Sequence, residues 1–459
     1  MYFEQISTPG LGCFSYAVGC PTAGVMAIFD PRRDIGIYIG IAEKHNMRVT
    51  HIFDSHIHAD HVSGARELRA ATGADIYIHE NAPSSYEVKK LKDGDRFTLG
   101  NAFIRVLHTP GHTPNSVSFW ISDLTRSAEP EIILTGDLLF IGDIGRPDLP
   151  GEEIMDEQVE NLYKSLYKTL GALPDYLEVY PAHGQGSLCG QGMSAKPYST
   201  LGNERLTNSM LKYSNFADFK RAVLSNLPMR PQSFSSIIAA NIKGADLLPN
   251  LDFAEYALSA GKMDEFRKAG AIVLDLRDTL SYGAAHIPGS INVDFSDGPM
   301  LNWVGMAVTP GAPLALILPY GKNFEEIYTE LRRIGYDNVK GWLNGGIEAW
   351  LGSGMETRRL PHISASGLRE RLTGQNPPVL IDVRSPKEFT SVKIEGSVNL
   401  PFDRILETDA CPAAQDAEIV VICTSGFRAS IASSLLMARG CANVSLLSGG
   451  LNAWDAPLR

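Results

Sequence analysis

The chain has 459 residues, of which 44% are hydrophobic and 20% charged, a globular composition with length for about three domains. A formal net charge of -11 and a pI near 5.5 exclude the broad basic face of a nucleic-acid-binding protein, although a local basic pocket for a small anion stays open. No window of about 18 apolar residues is present, which argues against a membrane span, and Met1 to Ser7 lacks the basic-then-apolar pattern of a secretory signal.

Short β-type runs are predicted at Val25–Phe29, Val49–Phe53, Phe103–Leu107, Glu131–Leu134 and Leu177–Tyr180, with helical patterns at Gly64–Thr72 and Met155–Leu170. The breakers in Leu227-Pro-Met-Arg-Pro231 and at Pro249 predict a linker near 228–250. Beyond it the chain repeats. Val273-Leu-Asp-Leu-Arg277 returns as Leu380-Ile-Asp-Val-Arg384, and Asn344-Gly-Gly-Ile-Glu-Ala-Trp350 as Ser448-Gly-Gly-Leu-Asn-Ala-Trp454. The intervals (380 − 273 = 107, 448 − 344 = 104) are too long for a solenoid and predict tandem domains of alternating strand and helix. The expected division is 1–245, 250–356 and 360–459.

Nine of the eleven histidines lie between His45 and His183. His56, His58, Asp60 and His61 form one tight run, followed by His112, Asp137 and His183. His112, Asp137 and His183 each come just after a predicted β run, and each sits beside Gly or Pro, which places them on strand-end loops where distant side chains converge. Imidazole and carboxylate donors suit zinc, iron or manganese. Two chemistries are compatible. His56, His58 and His112 can hold one ion and Asp60, His61 and His183 a second, with Asp137 between, as a hydrolase requires. Alternatively His56, His112 and Asp137 supply the two-His, one-carboxylate face of an iron oxygenase.

This set resembles the metallo-β-lactamase fold superfamily over roughly residues 1–245. The resemblance implies an αββα sandwich with the metal between two sheets; it does not name the reaction.

In the last domain, Val420-Val-Ile-Cys423-Thr-Ser-Gly-Phe-Arg428 runs from an apolar strand into a helix start. Backbone N–H groups of the loop, the helix N-terminus and Arg428 are expected to stabilise a Cys423 thiolate or persulfide. The run is similar to the rhodanese loop Cys-x-x-Gly-x-Arg, which implies that Cys423 carries sulfane sulfur. One departure is Lys393-Ile-Glu-Gly-Ser, where rhodaneses usually show His-Ile-Pro-Gly-Ala. The middle domain keeps the frame but places Leu318 at the Cys423 position and Asn323 at the Arg428 position, so it is expected to be catalytically silent. A docking or spacer role is expected of it, or an anion pocket built with Lys322.

The combination, α/β domains throughout, resembles the persulfide dioxygenase–rhodanese fusion family. That resemblance implies one Fe(II) per chain on His56, His112 and Asp137, with His58, Asp60, His61 and His183 in support. It implies oxidation of a thiol persulfide by O2 to sulfite, and transfer of sulfane sulfur through Cys423 to give thiosulfate. Glutathione, coenzyme A and bacillithiol are all open as the carrier. Arg146 is a candidate for holding an anionic substrate group or for pairing with Asp148; Cys189 and Cys20 are candidates for sulfur relay near the iron. Cys13, Cys411 and Cys441 carry no such signal, and the six cysteines read as reduced thiols of a cytoplasmic protein. Domain fusion is compatible with a homo-oligomer. The competing readings are a binuclear zinc thioester hydrolase of the glyoxalase II type with accessory sulfurtransferase domains, and a sulfane-sulfur carrier without oxidase chemistry.

Overall fold

The computed structural model describes residues 1–225, 227, 229–249, 251–296, 300–407, 411–414 and 417–454. Pro228 of the expected linker and the last five residues of the expected third domain lie outside the described residues. Two compact units emerge, Met1–Asn250 with Leu331–Gly335, and Leu251–Glu330 with Tyr336–Arg459.

The first unit contains two six-stranded sheets. One is ordered β1 (Tyr2–Thr8), β2 (Cys13–Cys20), β3 (Val25–Phe29), β4 (Arg48–Phe53), β5 (Asp75–His79) and β6 (Lys89–Leu91). The other, in spatial order, runs from β12 (Ser199–Thr200) through β11 (Glu178–Pro181), β10 (Ile132–Gly136), β9 (Val117–Asp123) and β8 (Ala102–His108) to β7 (Arg96–Leu99). Their facing sides meet in an apolar layer. Phe29 stacks on Phe53 at 4.9 Å, and Phe119 of the other sheet meets Phe29 edge-on at 4.9 Å. All three rings are fully buried, each worth roughly 2–3 kcal/mol of transfer free energy. Helices Gly36–Lys44 and Ala65–Thr72 cover one outer face through Tyr38, Ile41 and Leu68. Val159, Leu162 and Phe219 from helices Met155–Lys164 and Phe216–Ser225 cover the other. The order helix, sheet, sheet, helix is the expected αββα sandwich.

The second unit holds two five-stranded parallel sheets. The first is ordered β13 (Ala257–Leu258), β17 (Val339–Leu343), β16 (Leu314–Ile317), β14 (Ile272–Asp275) and β15 (Ile291–Asn292). The second is ordered β18 (His362–Ile363), β22 (Asn443–Leu447), β21 (Glu418–Ile422), β19 (Val379–Asp382) and β20 (Val398–Asn399). Adding five to each label of the first gives the second, so the sequence repeat is a repeat of topology. The central β16 is buried at every position, as expected of a strand covered on both faces.

Three expectations change. The stretch near 228–250 is not a bare linker, because Ser233–Lys243 forms a helix of the first unit whose Phe234, Ile237 and Asn241 are buried. The helix from Met155 is regular only to Lys164 and continues as a wider π turn over Ser165–Thr169. Nor are all six cysteines reduced: Cys411 and Cys441 form a disulfide with Cα atoms 5.2 Å apart. Parallel pairing of Glu418 with Asn443 brings the entries to β21 and β22 side by side, which their separation of 30 residues conceals. Among the described residues no helix is long and apolar enough to cross a membrane.

Candidate metal centre and sulfur-transfer site

The C-terminal ends of β3, β4, β8, β10 and β11 carry Asp30, the 54–61 loop, His112, Asp137 and His183. All seven anticipated ligand-type residues are buried there. Gly145 is required by close approach, since a Cβ would lie 1.8 Å from the Asp137 carbonyl oxygen. The 54–61 loop is held from outside by Asn241, a residue the sequence did not single out. Its amide N–H groups donate to the carbonyls of His58 and His61, each at 2.9 Å, and its oxygen accepts from Ser63 N–H at 2.9 Å.

His56, His112 and Asp137 present ligand atoms that all lie within 4.8 Å of one another. Asp137 Oδ2 is 3.3 Å from His112 Nε2 and 3.8 Å from His56 Nε2. His112 Nδ1–H donates to the Arg146 carbonyl at 2.8 Å, which fixes the tautomer and leaves Nε2 a free lone pair. His56 Nδ1 contacts Ser55 Oγ at 2.9 Å. His56 Nε2 and Asp137 Oδ2 are buried with no hydrogen-bond partner. An unpaired buried carboxylate oxygen beside an unpaired imidazole nitrogen is costly unless a cation joins them. Burial lowers the basicity of both His56 and His112, which keeps them neutral and able to ligate. Burial would raise Asp137, but His183 and His112 hold it well below the usual carboxylate range. Two neutral imidazoles and one ionised carboxylate on one face fit a single metal ion.

The three remaining histidines are hydrogen-bonded to carboxylates, and Asp60, His61 and His183 form with Cys13 a second group whose ligand atoms lie within 4.8 Å of one another. His58 Nε2 donates to Asp30 at 3.0 Å, and His58 groups with Asp30 and Asp54. His183 donates through Nδ1 to Asp137 Oδ1 at 2.6 Å and through Nε2 to Asp60 Oδ2 at 2.8 Å. Burial works against its charge, yet the two flanking carboxylates push its pKa well up. His61 Nδ1 donates to the other Asp60 oxygen at 3.2 Å. Cys13, to which the sequence assigned nothing, completes this set. Its thiol donates to Asp60 Oδ2 at 2.9 Å, and its backbone bridges His183 at the mouth of β2. No local signal near Cys13 announces this contact, because it spans 47 residues.

Arg146 takes the second of its two expected roles. It is 3% exposed and grips Asp148 with two hydrogen bonds of 2.7 Å, while Nη1 donates to the Leu188 carbonyl at 3.2 Å. Cys189 is near the centre, within 4.8 Å of ligand atoms of Asp137 and His183, but burial pushes its thiol up to about 12. Cys20 is not near it. It ends the strand that Cys13 begins, about 23 Å away at the usual rise per residue.

In the second unit Cys423 follows β21 and is 1% exposed. Its sulfur accepts from Gly426 N–H at 3.1 Å and Ala429 N–H at 3.4 Å, at the start of helix Phe427–Ala438. Gly426 has φ +103°, open to glycine but strained for other residues, and this turn aims the amides at the sulfur. Arg428 does not offer a free charge. Its guanidinium grips Glu388 at 2.6 and 2.9 Å and also donates to Thr424 Oγ1 at 3.1 Å. Glu388 was missed because the signal it carries is that of a helix cap, Ser385-x-x-Glu388.

The middle domain braces this helix. Asn292 Oδ1 accepts from Ser430 Oγ at 2.6 Å, and Asn292 N–H donates to Ser434 Oγ at 3.1 Å. Trp303 meets Phe427 edge-on at 5.7 Å and Phe402 at 5.3 Å. The middle domain's own cavity, about 750 Å³, contains Leu318 where the last domain has Cys423. Lys322 in that cavity pairs with Glu326 and lies over Phe295.

Comparison with known proteins finds relatives of both halves of the chain. Residues 21–183 match the metallo-beta-lactamase superfamily, and residues 259–353 and 364–457 each match the rhodanese-like domain. A solved metallo-beta-lactamase from Staphylococcus aureus subsp. aureus COL is 31% identical, covers 74% of this chain and 98% of its own, and superposes with a TM-score of 0.66. The chain therefore belongs to the metallo-β-lactamase superfamily and carries two rhodanese-like domains in tandem.

Among relatives, the mitochondrial persulfide dioxygenase of Bos taurus is 26% identical over 245 residues, 52% of this chain and 87% of its own. A hydroxyacylglutathione hydrolase of Prochlorococcus marinus (strain NATL1A) is 31% identical over 204 residues, 38% of this chain and 76% of its own. The first part of the chain is thus similar both to a persulfide dioxygenase and to hydroxyacylglutathione hydrolases.

Proposed function

We propose that the chain oxidises a low-molecular-weight thiol persulfide to sulfite at a single non-haem iron and passes sulfane sulfur through Cys423 to give thiosulfate. The working domain limits are 1–245, 250–356 and 360–459. The observation that carries the reading is the convergence of unpartnered ligand atoms on one point, His56 Nε2 and Asp137 Oδ2 beside His112 Nε2. A binuclear hydrolase would fill the neighbouring set Cys13, Asp60, His61 and His183, whose ligand atoms also lie within 4.8 Å of one another, with a second ion. In the single-iron reading that set stays in the hydrogen bonds of His183 to Asp60 and Asp137.

Fe(II) held by His56, His112 and Asp137 would supply the redox chemistry and open positions for O2 and persulfide. The chain's own groups do the rest. The Arg146 carbonyl orients His112. His183 fixes Asp137 in one rotamer through Oδ1, leaving Oδ2 for the metal. Asp60, His61 and Cys13 close the space beside it. The overall balance is persulfide, O2 and water in, thiol, sulfite and two protons out.

At the second site the Cys423 thiolate attacks the terminal sulfur of a persulfide. A sulfur–sulfur bond to Cys423 forms, and the carrier leaves with the electron pair as its thiolate. The lone pair of sulfite then takes that sulfur, giving thiosulfate and returning the pair to Cys423. Gly426 and Ala429 N–H groups stabilise the negative sulfur in both steps.

The test is metal analysis of anaerobically purified protein with oxygen uptake on glutathione persulfide and coenzyme A persulfide. One iron per chain and persulfide-dependent uptake are expected. Two zinc ions per chain, with hydrolysis of a glutathione thioester in the absence of O2, would overturn the proposal. Cys423→Ser is expected to keep oxygen uptake and shift the product from thiosulfate to sulfite.

A further inference from the structure

The loop around Cys423 contains a contradiction of charge. The backbone amides and the helix start are arranged for an anion, and Arg428 is the cation beside them, yet the two terminal nitrogens of its guanidinium already hold a carboxylate. Glu388 takes both arms of the fork, Oε1 from Nη2 at 2.6 Å and Oε2 from Nη1 at 2.9 Å. Such a two-pronged grip is the geometry in which a guanidinium also binds sulfur and phosphorus oxyanions. The carboxylate is itself fixed. Ser385 donates to Glu388 Oε2 from its backbone N–H at 3.0 Å and from Oγ at 2.9 Å, and accepts from Glu388 N–H at 3.3 Å. Glu388 is therefore anchored to the first turn of helix Pro386–Ser391 and presented to Arg428 as a preformed counter-ion. Thr424 Oγ1 accepts a third hydrogen bond from the same guanidinium at 3.1 Å, so the Arg428 head group is pinned within the Cys423 loop.

We propose that Glu388 sets donor specificity at Cys423 by occupying the oxyanion position on Arg428. The inference rests on Cys423 acting in sulfur transfer as described above. Thiosulfate can donate its outer sulfur to Cys423 only if its sulfonate is held while the bond between its two sulfurs breaks and sulfite leaves with the electron pair. Its sulfonate must then compete with the Glu388 carboxylate for Arg428. A thiol persulfide delivers the same sulfur with a thiolate as leaving group and has no oxyanion next to the bond that breaks. The filled fork discriminates against the first donor and leaves the second alone. Thiosulfate loading and sulfite unloading are the same step in opposite directions, so the filled fork burdens both equally. What it sets is the preference for persulfide over thiosulfate as donor, and the supply of sulfite sets the direction of flow. Glu388 acts through Arg428 and is a positioning residue.

The test compares Glu388→Gln and Ser385→Ala in the full-length protein. Glutamine keeps the N3 side of the helix cap and removes the charge; alanine removes the cap and keeps the charge. KM and kcat are measured separately for thiosulfate and for glutathione persulfide as donors, with loading of Cys423 read as the mass gain of one sulfur. In Glu388→Gln the ratio of the thiosulfate KM to the persulfide KM is expected to fall by about threefold or more, a modest figure because the pair is partly exposed. Ser385→Ala is expected to lower thermal stability and shift that ratio less than Glu388→Gln does. A rise in the thiosulfate KM of Glu388→Gln, or an equal shift in both variants, would mean that Glu388 only holds the loop in shape, and overturns the inference. If no donor loads Cys423 in the unsubstituted protein, the sulfur-transfer reading itself falls.

Discussion

Asn241 gives the sharpest test of how the metal loop is held. Its side chain is 6% exposed and satisfies three backbone groups of the 54–63 segment, the carbonyls of His58 and His61 and the N–H of Ser63. Replacing it with leucine, nearly the same size, leaves all three without a partner and leaves little space for water to substitute. At about 1–3 kcal/mol for each unsatisfied buried group, the lower bound is a loss of roughly 3 kcal/mol. For a unit of this length 1 kcal/mol moves the midpoint by roughly 2–4 °C, so Asn241→Leu is expected to lower the melting transition of the first unit by roughly 6–12 °C. Asn241→Ala opens a polar space that water can enter, and its loss is expected to be smaller, about 1–2 kcal/mol. Calorimetry of the full chain with and without metal identifies which transition belongs to the first unit, and the iron content of each variant is measured alongside. A shift below roughly 2 °C for the leucine variant, or a larger loss for alanine than for leucine, would refute the reasoning, since neither is compatible with a three-way backbone clamp.

The metal donors separate into two groups by their hydrogen bonds. His56→Ala, His112→Ala and Asp137→Ala are each expected to abolish iron binding by metal analysis, whereas His58→Gln is expected to retain stoichiometric iron with activity reduced roughly 10–100-fold. Glu388 is held down to about 2 from a reference of 4.5, with its hydrogen bond from Arg428 the largest cause. A depressed carboxylate contributes stability that is complete above its unfolded pKa and is lost as pH falls through its folded one. The stability advantage of the unsubstituted protein over Glu388→Gln is therefore expected to shrink between about pH 4.5 and pH 2 in acid titrations followed by tryptophan fluorescence. Closing a 30-residue separation, the Cys411–Cys441 disulfide is worth about 3–4 kcal/mol, so Cys441→Ser or added reductant is expected to lower the melting transition of the last domain and leave that of the first unit in place. Asn292→Ala removes the acceptor for Ser430 Oγ and is expected to slow loading of Cys423 without altering oxygen uptake.

What was legible in the chain was whatever is local. The run from His56 to His61, the Gly-flanked His112, Asp137 and His183, and the loop from Cys423 to Arg428 each carry their meaning within a few residues, because strand-end loops must be built from such residue types wherever they occur. The tandem repeat was legible too, since the strands β14 to β17 return as β19 to β22 at offsets of 107 (379 − 272) to 104 (443 − 339) residues. Contacts that close across the chain were not. Asn241 reaches the metal loop from a helix that its flanking prolines disguised as a linker. Cys13 meets Asp60 across 47 positions, and Cys411 meets Cys441 only because two parallel strands start side by side.

Sequence alone thus determined which donors are present and which loops carry them. It also determined that a metallo-β-lactamase-fold domain is joined to rhodanese-like domains, because covalent neighbours are enough to define those motifs. The tertiary structure decided which partners each donor meets. His183 is chemically as good a ligand as His56, but only the fold places it between two carboxylates, where both nitrogens are hydrogen-bonded. Arg428 is a cation in any conformation, but only the fold sets Glu388 in its fork. A residue's type fixes what it can bind; whether it remains available depends on partners that distance along the chain does not reveal.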